Sequence, residues 1–235
     1  MSQGDRRVAL VTGANRGIGL EVVRQLAGDG FTAILGARDL DRGSSAAEPL
    51  RAEGLEVEAR QLDVADPASV AELGSALERD NARLDVLVNN AAIHYDTGER
   101  GVSADMDVVR EALETNVLGA WRTAQACVPM LRRSGSARIV NVSSGAGALT
   151  DMGGGTPAYR VSKTALNALT RILAAELRGD GVLVNSVCPG WVATDMGGPG
   201  GRPVEQGAAS VMWAVRIGDD GPTGGFFRDG RRIDW

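Results

Sequence analysis

The sequence predicts an α/β fold: a mostly parallel, seven-stranded, doubly wound sheet with helices on both faces. Two observations favour this fold. Short apolar runs alternate with helix-like segments along the chain, and this order produces parallel strands joined by right-handed crossovers. No break in composition and no internal repeat divides the 235 residues, so we expect a single domain over residues 1–235.

The first predicted strand, Val8–Thr12, is a short apolar run that ends at Gly13. Most of the other strands are similar runs that stop at Asp, Asn, Ser or a Pro-Gly pair. Such runs are typical of strands buried on both faces of a parallel sheet. The remaining predicted strands are Thr32–Ala37, Val57–Leu62, Leu84–Val88, Arg138–Val142, Val182–Val187 and Gly225–Phe227.

Helices are predicted between these strands. Ile18–Leu26 has apolar residues at helical spacing. Asp66 is a candidate N-cap for Pro67–Leu77, whose first position suits proline. The Gly- and Pro-rich segment Gly197–Pro203 is predicted to be a surface loop. The other predicted helices are Leu40–Glu53, Met106–Leu131 and Ala158–Leu177.

Charge and composition exclude some classes of partner. The net charge is -5 and the pI about 5.0, which disfavours binding to nucleic acid or to an anionic membrane surface. Residues Met1–Arg7 are polar, and neither a signal peptide nor a long apolar span is evident. We therefore expect a soluble, cytoplasmic protein without a membrane partner.

The two cysteines, Cys127 and Cys188, lack the spacing of a zinc site, even together with the single histidine, His94. We expect no metal, and two free, largely buried thiols in a reducing compartment. His94 and Tyr95 follow the fourth strand and could line a substrate mouth. A lone histidine in such a loop is more often simply exposed, and we do not assign it as a base.

A glycine-rich turn joins the first strand to the first helix. Gly13, Gly17 and Gly19 allow a sharp turn and the close approach of a pyrophosphate to the helix N-terminus. The spacing differs from G-x-G-x-x-G. On this motif alone, a tight turn without a ligand is an equal alternative.

Three later segments carry candidate chemistry. Tyr159 and Lys163 share a helix face at positions i and i+4. A free tyrosine has a pKa near ~10, and a nearby ammonium lowers it. Ser144 ends the fifth strand, where a hydroxyl can hydrogen-bond a substrate oxygen; Ser143 ranks second. Asn116 lies mid-helix, where asparagine is unfavourable unless its side chain has a role. Each feature has an alternative interpretation. Tyr159 and Lys163 could be a solvated pair on a helix face, the two serines could form a turn or a helix cap, and Asn116 could mark a helix kink without a catalytic role.

These motifs, in this order, resemble the short-chain dehydrogenase/reductase family. The glycine turn resembles its T-G-x-x-x-G-I-G pattern, and Asn89-Asn90-Ala91-Ala92 resembles N-N-A-G with alanine for the last glycine. The resemblance covers Val8 to Trp235 and is closest to the carbonyl-reductase-like members. It implies a Rossmann-type fold and a nicotinamide cofactor.

The resemblance also implies roles for individual residues. Ser144 would orient a carbonyl, Tyr159 would donate the proton, and Lys163 would reach the nicotinamide ribose. Asn116 would bend its helix and hold a water that relays protons to the lysine. The implied cofactor-binding residues are Gly13, Asn15, Arg16, Gly17, Ile18, Gly19, Arg38, Asp63, Val64, Asn90, Ala91, Tyr159, Lys163, Pro189, Gly190, Val192 and Thr194.

The end of the second strand indicates which cofactor is used. NAD enzymes usually place an acid there, whereas this chain has Ala37 followed by Arg38. Arg38 and Arg16 could bind a 2′-phosphate through charge-assisted bonds, which favours NADP(H). Two alternatives remain: both arginines could be solvated, or Asp39 could accept from a ribose hydroxyl.

The resulting hypothesis is NADPH-dependent reduction of a ketone or aldehyde, a small-molecule carbonyl, with Tyr159 as the acid/base. The alternatives are an NAD-dependent alcohol dehydrogenase and a catalytically silent, NADP-binding regulator. Some family members carry a large insertion before the tyrosine that blocks oligomerisation. It is absent here, so Met106–Leu131 and Ala158–Leu177 are free to pair, and we expect a homodimer or homotetramer.

Overall fold

The structure, a computed structural model, describes residues 6–235. Its sheet has eight strands in the order β3-β2-β1-β4-β5-β6-β7-β8. Strands β1 to β7 are parallel, and β8 is antiparallel to β7. The strands are β1 Val8–Thr12, β2 Thr32–Ala37, β3 Val57–Gln61, β4 Val86–Asn89, β5 Arg138–Val142, β6 Leu183–Val187, β7 Phe226–Arg228 and β8 Arg231–Arg232. The predicted doubly wound α/β fold is therefore confirmed.

The eighth strand is the one difference in the sheet. Arg231–Arg232 pairs with β7 after a tight turn at Asp229 and Gly230, both with positive φ. Two exposed arginines carry no apolar signal, so a sequence pattern cannot indicate this short edge strand. It extends the predicted seven strands without changing their order.

Within residues 6–235, seven α-helices connect the strands. They are α1 Gly17–Gly28, α2 Leu40–Ala52, α3 Pro67–Asp80, α4 Met106–Leu113, α5 Ala120–Leu131, α6 Pro157–Glu176 and α7 Val204–Arg216. Asp66 caps α3 as predicted, accepting from the Ala68 N–H at 2.9 Å. The sequence prediction missed α7, although Ala208, Val211, Met212 and Val215 are buried at helical spacing.

Two apolar cores lie on opposite faces of the sheet. Along β1, Leu10 packs on one face with helices α3, α5 and α6. Its neighbour Val11 packs on the other face with α1, α2 and α7. Both side chains are fully buried, and burying such a side chain contributes about 1.5–3 kcal/mol. A sheet covered on both faces leaves its strand ends as the open place for a ligand.

A π-helical turn, Glu114–Gly119, separates α4 from α5. The single long helix predicted over Met106–Leu131 is thus interrupted at the segment that contains Asn116. Gly119 packs closely against Val64, in the segment that follows β3. A Cβ on Gly119 would lie 2.8 Å from Val64 Cγ2. Such π-helical turns often occur at functional sites, and this one lies beside the cleft described next.

Candidate active site

The sheet order reverses at β1, which lies between β2 and β4. In doubly wound sheets, ligands bind in the crevice at the carboxyl ends of the strands at such a reversal. The glycine turn follows β1 here, the N-N-A segment follows β4, and Ser144 follows β5. Most of the predicted site residues therefore lie along one edge of the sheet.

The glycine turn depends on backbone that only glycine readily adopts. Gly13 and Gly17 have φ of +61° and +57°, in the left-handed region. A Cβ on Gly13 would lie 2.8 Å from the Ala91 Cα. Helix α1 begins at Gly17 and has no acidic residue in its first turn. Its free N–H groups therefore form a site suited to an anion.

Asn90 holds this turn in place. Its side-chain amide donates to the carbonyl oxygens of Thr12 and Gly13 at 2.9 and 3.0 Å. The backbone N–H groups of Asn90 and Ala91 both donate to Thr12 Oγ1 at 3.0 Å. A Cβ on Gly19 would lie 2.5 Å from Asn90 Nδ2. The N-N-A segment thus supports the glycine turn directly.

A cavity of about 330 Å³ lies beyond the ends of β2 and β3. Arg38, Asp63 and Thr115 contribute to its lining. The exposed Arg38 guanidinium makes no ion pair within residues 6–235. Asp39, the alternative ribose ligand, instead caps α2 by accepting from the Arg42 N–H at 3.1 Å. The structure therefore leaves Arg38, rather than Asp39, available to a ligand at this position.

The segment after β6 crosses towards the glycine turn. Gly190, with φ of +79°, follows Pro189, and Val192 is buried. A Cβ on Gly17 would lie 3.4 Å from Thr194 Cγ2. The two sides are also joined by an exposed ion pair, because Arg16 Nη1 lies 2.7 Å from Asp195 Oδ2.

Tyr159 and Ser144 lie together at the end of β5. Both residues are half-buried. Burial raises the pKa of Tyr159, and the adjacent Ser144 hydroxyl lowers it by a smaller amount. The net direction is upward. This direction is opposite to the one expected from a nearby ammonium, because the cost of burying a charge is the largest effect on this phenol.

Lys163 lies one turn along α6 from Tyr159. Its ammonium donates to the Val142 carbonyl oxygen at 2.8 Å and lies 5.7 Å from the centroid of the Tyr159 ring. Burial lowers the pKa of Lys163 to about 8. Ser143, the second-ranked serine, is buried and donates to the Lys163 carbonyl oxygen at 3.4 Å. The amine is therefore poised to exchange a proton near neutral pH.

Asn116 ties three segments together. Its Oδ1 accepts from the Ile93 N–H at 2.8 Å, and its Nδ2 donates to the Ile93 carbonyl oxygen at 3.0 Å. The Nδ2 also donates to Ser162 Oγ on α6 at 2.9 Å. Asn116 therefore fixes the loop after β4 against the π-helical turn and the helix that carries Tyr159.

Two further residues contact the tyrosine. The His94 and Tyr159 rings stack with their centroids 4.3 Å apart and an interplanar angle of 28°. Asp96 Oδ2 accepts from the Tyr159 N–H at 3.2 Å. The sequence interpretation placed His94 only near a substrate mouth and did not select Asp96. Neither belongs to a local motif, so no sequence signal marked their contact with Tyr159.

Other structural observations bear on the expected partners. Within residues 6–235, no group of three or more His, Cys, Asp or Glu side chains could hold a metal ion. Cys127 and Cys188 are free and buried, and burial raises the pKa of the Cys127 thiol to about 12. None of the helices in this part of the chain has the length and apolarity that a bilayer crossing requires. The polar start of the chain, residues 1–5, lies outside the described residues.

Comparison with known proteins agrees with this geometry. Residues 7–202 match the family model of the short chain dehydrogenases. A (+)-neomenthol dehydrogenase of Arabidopsis thaliana is 36% identical, with 97% of each chain covered. Carbonyl reductase [NADPH] 1 of Sus scrofa is 34% identical, covering 97% of this chain and 94% of its own. The NADPH-bound carbonyl reductase from chicken fatty liver superposes with a TM-score of 0.88 at 28% identity, covering 100% of this chain and 97% of that one.

The chain therefore belongs to the short-chain dehydrogenase/reductase family, and it is similar to the carbonyl-reductase-like members. It is an oxidoreductase that acts on carbonyl or alcohol groups of small molecules and uses a nicotinamide cofactor. The family predicted from the sequence motifs is confirmed.

Proposed function

We propose that this enzyme reduces a ketone or aldehyde with NADPH, and that Tyr159 donates the proton. The observation that carries this proposal is the position of three groups at the end of β5. The Ser144 and Tyr159 hydroxyls lie together, and Lys163 lies one helical turn away. Two hydroxyls can bind one carbonyl oxygen and stabilise the charge that develops on it.

The residues present fit a dinucleotide phosphate. The first turn of α1 has no acidic residue, so its free N–H groups are suited to a pyrophosphate. Arg38 would bind a 2′-phosphate by charge-assisted hydrogen bonds. When bound, the nicotinamide supplies the hydride. Two relatives, named as NADPH carbonyl reductase and NADPH-bound carbonyl reductase, support NADP(H) as the cofactor.

The pKa directions suit reduction. Burial raises the pKa of Tyr159, so the phenol is protonated at neutral pH and can donate to the oxygen as the carbon receives the hydride. Lys163, with a pKa of about 8, can then return a proton to the phenolate. We propose that Asn116 contributes by holding the loop and helix on which these groups depend.

Tyr159→Phe tests the proposal. We expect the variant to lose at least about a hundredfold in kcat, because general acid catalysis contributes on the order of a hundredfold or more. NADPH affinity, measured by cofactor fluorescence, should change little, because the ring is retained. Undiminished turnover would contradict the mechanism. If the native enzyme consumes no NADPH with any aldehyde, ketone or quinone, the result would favour a regulator that only binds the cofactor.

Alcohol oxidation with NAD is the second candidate. The relative named (+)-neomenthol dehydrogenase, at 36% identity, favours the oxidation of an alcohol, and the choice of NAD is the alternative cofactor in this candidate. Rates measured in both directions with each cofactor would separate the two candidates. Faster oxidation with NAD than reduction with NADPH would support this second function.

We further propose that α5 and α6 pair with a second copy of the chain. Trp121 on α5 and Val161 and Ile172 on α6 are large apolar residues exposed by 38%, 51% and 46%. An exposed apolar helix face of this kind is typical of a subunit interface. Light scattering should give a dimer or tetramer, and Trp121→Glu should shift the distribution towards monomer. A monomeric native protein would contradict the pairing.

A further inference from the structure

The loop after β4 contacts the proposed acid, Tyr159, through His94 and Asp96. His94 stacks on the Tyr159 ring at a centroid distance of 4.3 Å. The imidazole is half-buried, and its contact is with the ring rather than the hydroxyl. A stacked neighbour limits rotation of the phenol plane and thereby the direction of its O–H bond.

Asp96 caps the helix that carries Tyr159. Helix α6 begins at Pro157, and the preceding Thr156 has φ of +45° and makes no side-chain cap bond. The N–H of Tyr159 in the first turn has no partner within the helix. Asp96, 63 residues earlier in the chain, accepts from it at 3.2 Å. The carboxylate therefore does at long range what a local N-cap residue usually does.

The same two residues leave two polar atoms facing each other. His94 Nε2 and Asp96 Oδ1 lie 3.7 Å apart. Both are buried, and neither has a hydrogen-bond partner within residues 6–235. Asp96 is only 1% exposed. Buried polar atoms of this kind are rare without a function, and hydrogen bonds of active sites are often long before substrate binds.

We propose that His94 and Asp96 are a positioning pair for Tyr159: Asp96 holds the start of α6 and faces the imidazole, and the imidazole fixes the plane of the phenol. A small closure between Nε2 and Oδ1 would complete the pair. The inference rests on the proposed role of Tyr159 as proton donor. The loop after β4 would then orient the acid as well as border the cofactor.

The charges around the phenol support this arrangement. Tyr159 is faced by Lys163 from its own helix, by Cys188 from the end of β6, and by His94 and Asp96 from the loop after β4. Burial raises the pKa of Tyr159 most, the Ser144 hydroxyl lowers it, and Cys188 and then Asp96 raise it further. Burial lowers the pKa of His94, so the imidazole is neutral at neutral pH.

Substitutions of His94 test the stacking. His94→Ala should lower kcat by about tenfold to a hundredfold, because a small misplacement of a reacting group costs that much. KM for NADPH should be unchanged. His94→Phe keeps a flat ring and should recover most of the lost kcat. His94→Leu fills a similar volume without a ring and should not recover it.

Asp96→Asn tests the charge. Asparagine can still accept from the Tyr159 N–H, but it removes the charge that raises the pKa of this phenol. Reduction requires the protonated phenol, so the fall of kcat at alkaline pH should begin at lower pH than in the native enzyme. Asp105→Asn is the matched control, since Asp105 caps α4 by accepting from the Asp107 N–H at 2.8 Å. This control should leave the pH profile unchanged.

The outcomes separate this inference from the proposed function. An active Tyr159→Phe enzyme would overturn the proton-donor role itself. An inactive Tyr159→Phe enzyme, together with native-like kcat in His94→Ala, would overturn only the positioning pair. If Asp96→Asn does not fold, the comparison of Phe with Leu at position 94 decides the question: equal kcat in these two variants would also overturn the inference.

Discussion

The two sides of the active-site cleft are built differently. On the cofactor side, the glycine turn after β1 is held by hydrogen bonds from Asn90, and Gly13 and Gly19 pack too closely against Ala91 and Asn90 to leave room for a Cβ. On the substrate side, the loops after β4 and β5 expose large side chains, among them Tyr95 and Leu149 at 58% and 64%. Backbone conformation fixes the shape of the cofactor side, whereas the identity of the exposed side chains sets the shape of the substrate side. Substitutions should therefore affect cofactor binding and substrate preference separately.

Among the substitutions that compare the two sides, Gly13→Ala is expected to have the largest effect, because it should lower both NADPH affinity and the stability of the fold; it tests the backbone contact on the cofactor side. The added Cβ would lie 2.8 Å from the Ala91 Cα, so the N-N-A segment would have to move. We expect NADPH affinity to fall by at least about tenfold, with a lower Tm, because overpacking costs on the order of 1–3 kcal/mol.

Gly54→Ala is the control for that variant. Gly54 has φ of +82°, but nothing lies within 4 Å of its added Cβ. It shares the backbone strain of about 1–2 kcal/mol without the close contact. Equal NADPH affinities in the two alanine variants would show that the close approach to Ala91 is unimportant.

Arg38→Asp should have the next largest effect. An acid at the end of β2 favours a ribose hydroxyl over a 2′-phosphate. We expect the ratio of kcat/KM for NADPH to that for NADH to fall by about tenfold to a hundredfold, since hydrogen bonds to charged groups contribute on the order of 1.5–3 kcal/mol. Arg178→Asp, at an exposed position preceding β6 on the opposite edge of the sheet, should leave the ratio unchanged. An unchanged ratio in Arg38→Asp would remove Arg38 from the phosphate site.

Leu149→Ala sharpens the comparison on the substrate side. Leu149 lies between Ser144 and Tyr159 in the sequence, and it is 64% exposed. We expect KM for a bulky apolar ketone to rise by about threefold to tenfold, a part of the free energy of burying a leucine side chain. KM for NADPH serves as the internal control and should not move. An equal rise in KM for the ketone and in KM for NADPH would mean that the two sides of the cleft are coupled.

The smallest effect is expected for Asp195→Asn, which removes the ion pair between the glycine turn and the segment after β6. Arg16 and Asp195 are both about 70% exposed and pair at 2.7 Å. Exposed pairs contribute little, so freeing Arg16 should strengthen NADPH binding by less than about fivefold. The difference should shrink at high salt because exposed charges are screened. Weaker NADPH binding in the variant would show that Asp195 supports the site instead.

Local patterns were sufficient for most of the fold and for the family. Seven strands were identified, because buried strands are uninterrupted apolar runs, and Asp66 was identified as a cap because capping is a matter of a few adjacent residues. Helix α7 was missed, although its buried residues are spaced as in a helix. The two-residue strand β8 has no sequence signal, since only its pairing with β7 defines it.

The sequence by itself determined the alternation of parallel strands with helices, the glycine turn and the i, i+4 relation of Tyr159 to Lys163, because each depends on neighbours along the chain or on a repeated β-α-β rule. Only the tertiary structure decided that burial raises the pKa of Tyr159 and that Asn116 bonds to Ile93 and Ser162. It also decided that the His94 ring and the Asp96 carboxylate meet Tyr159. Solvation and long-range contacts depend on how distant segments pack, and no local pattern encodes that packing.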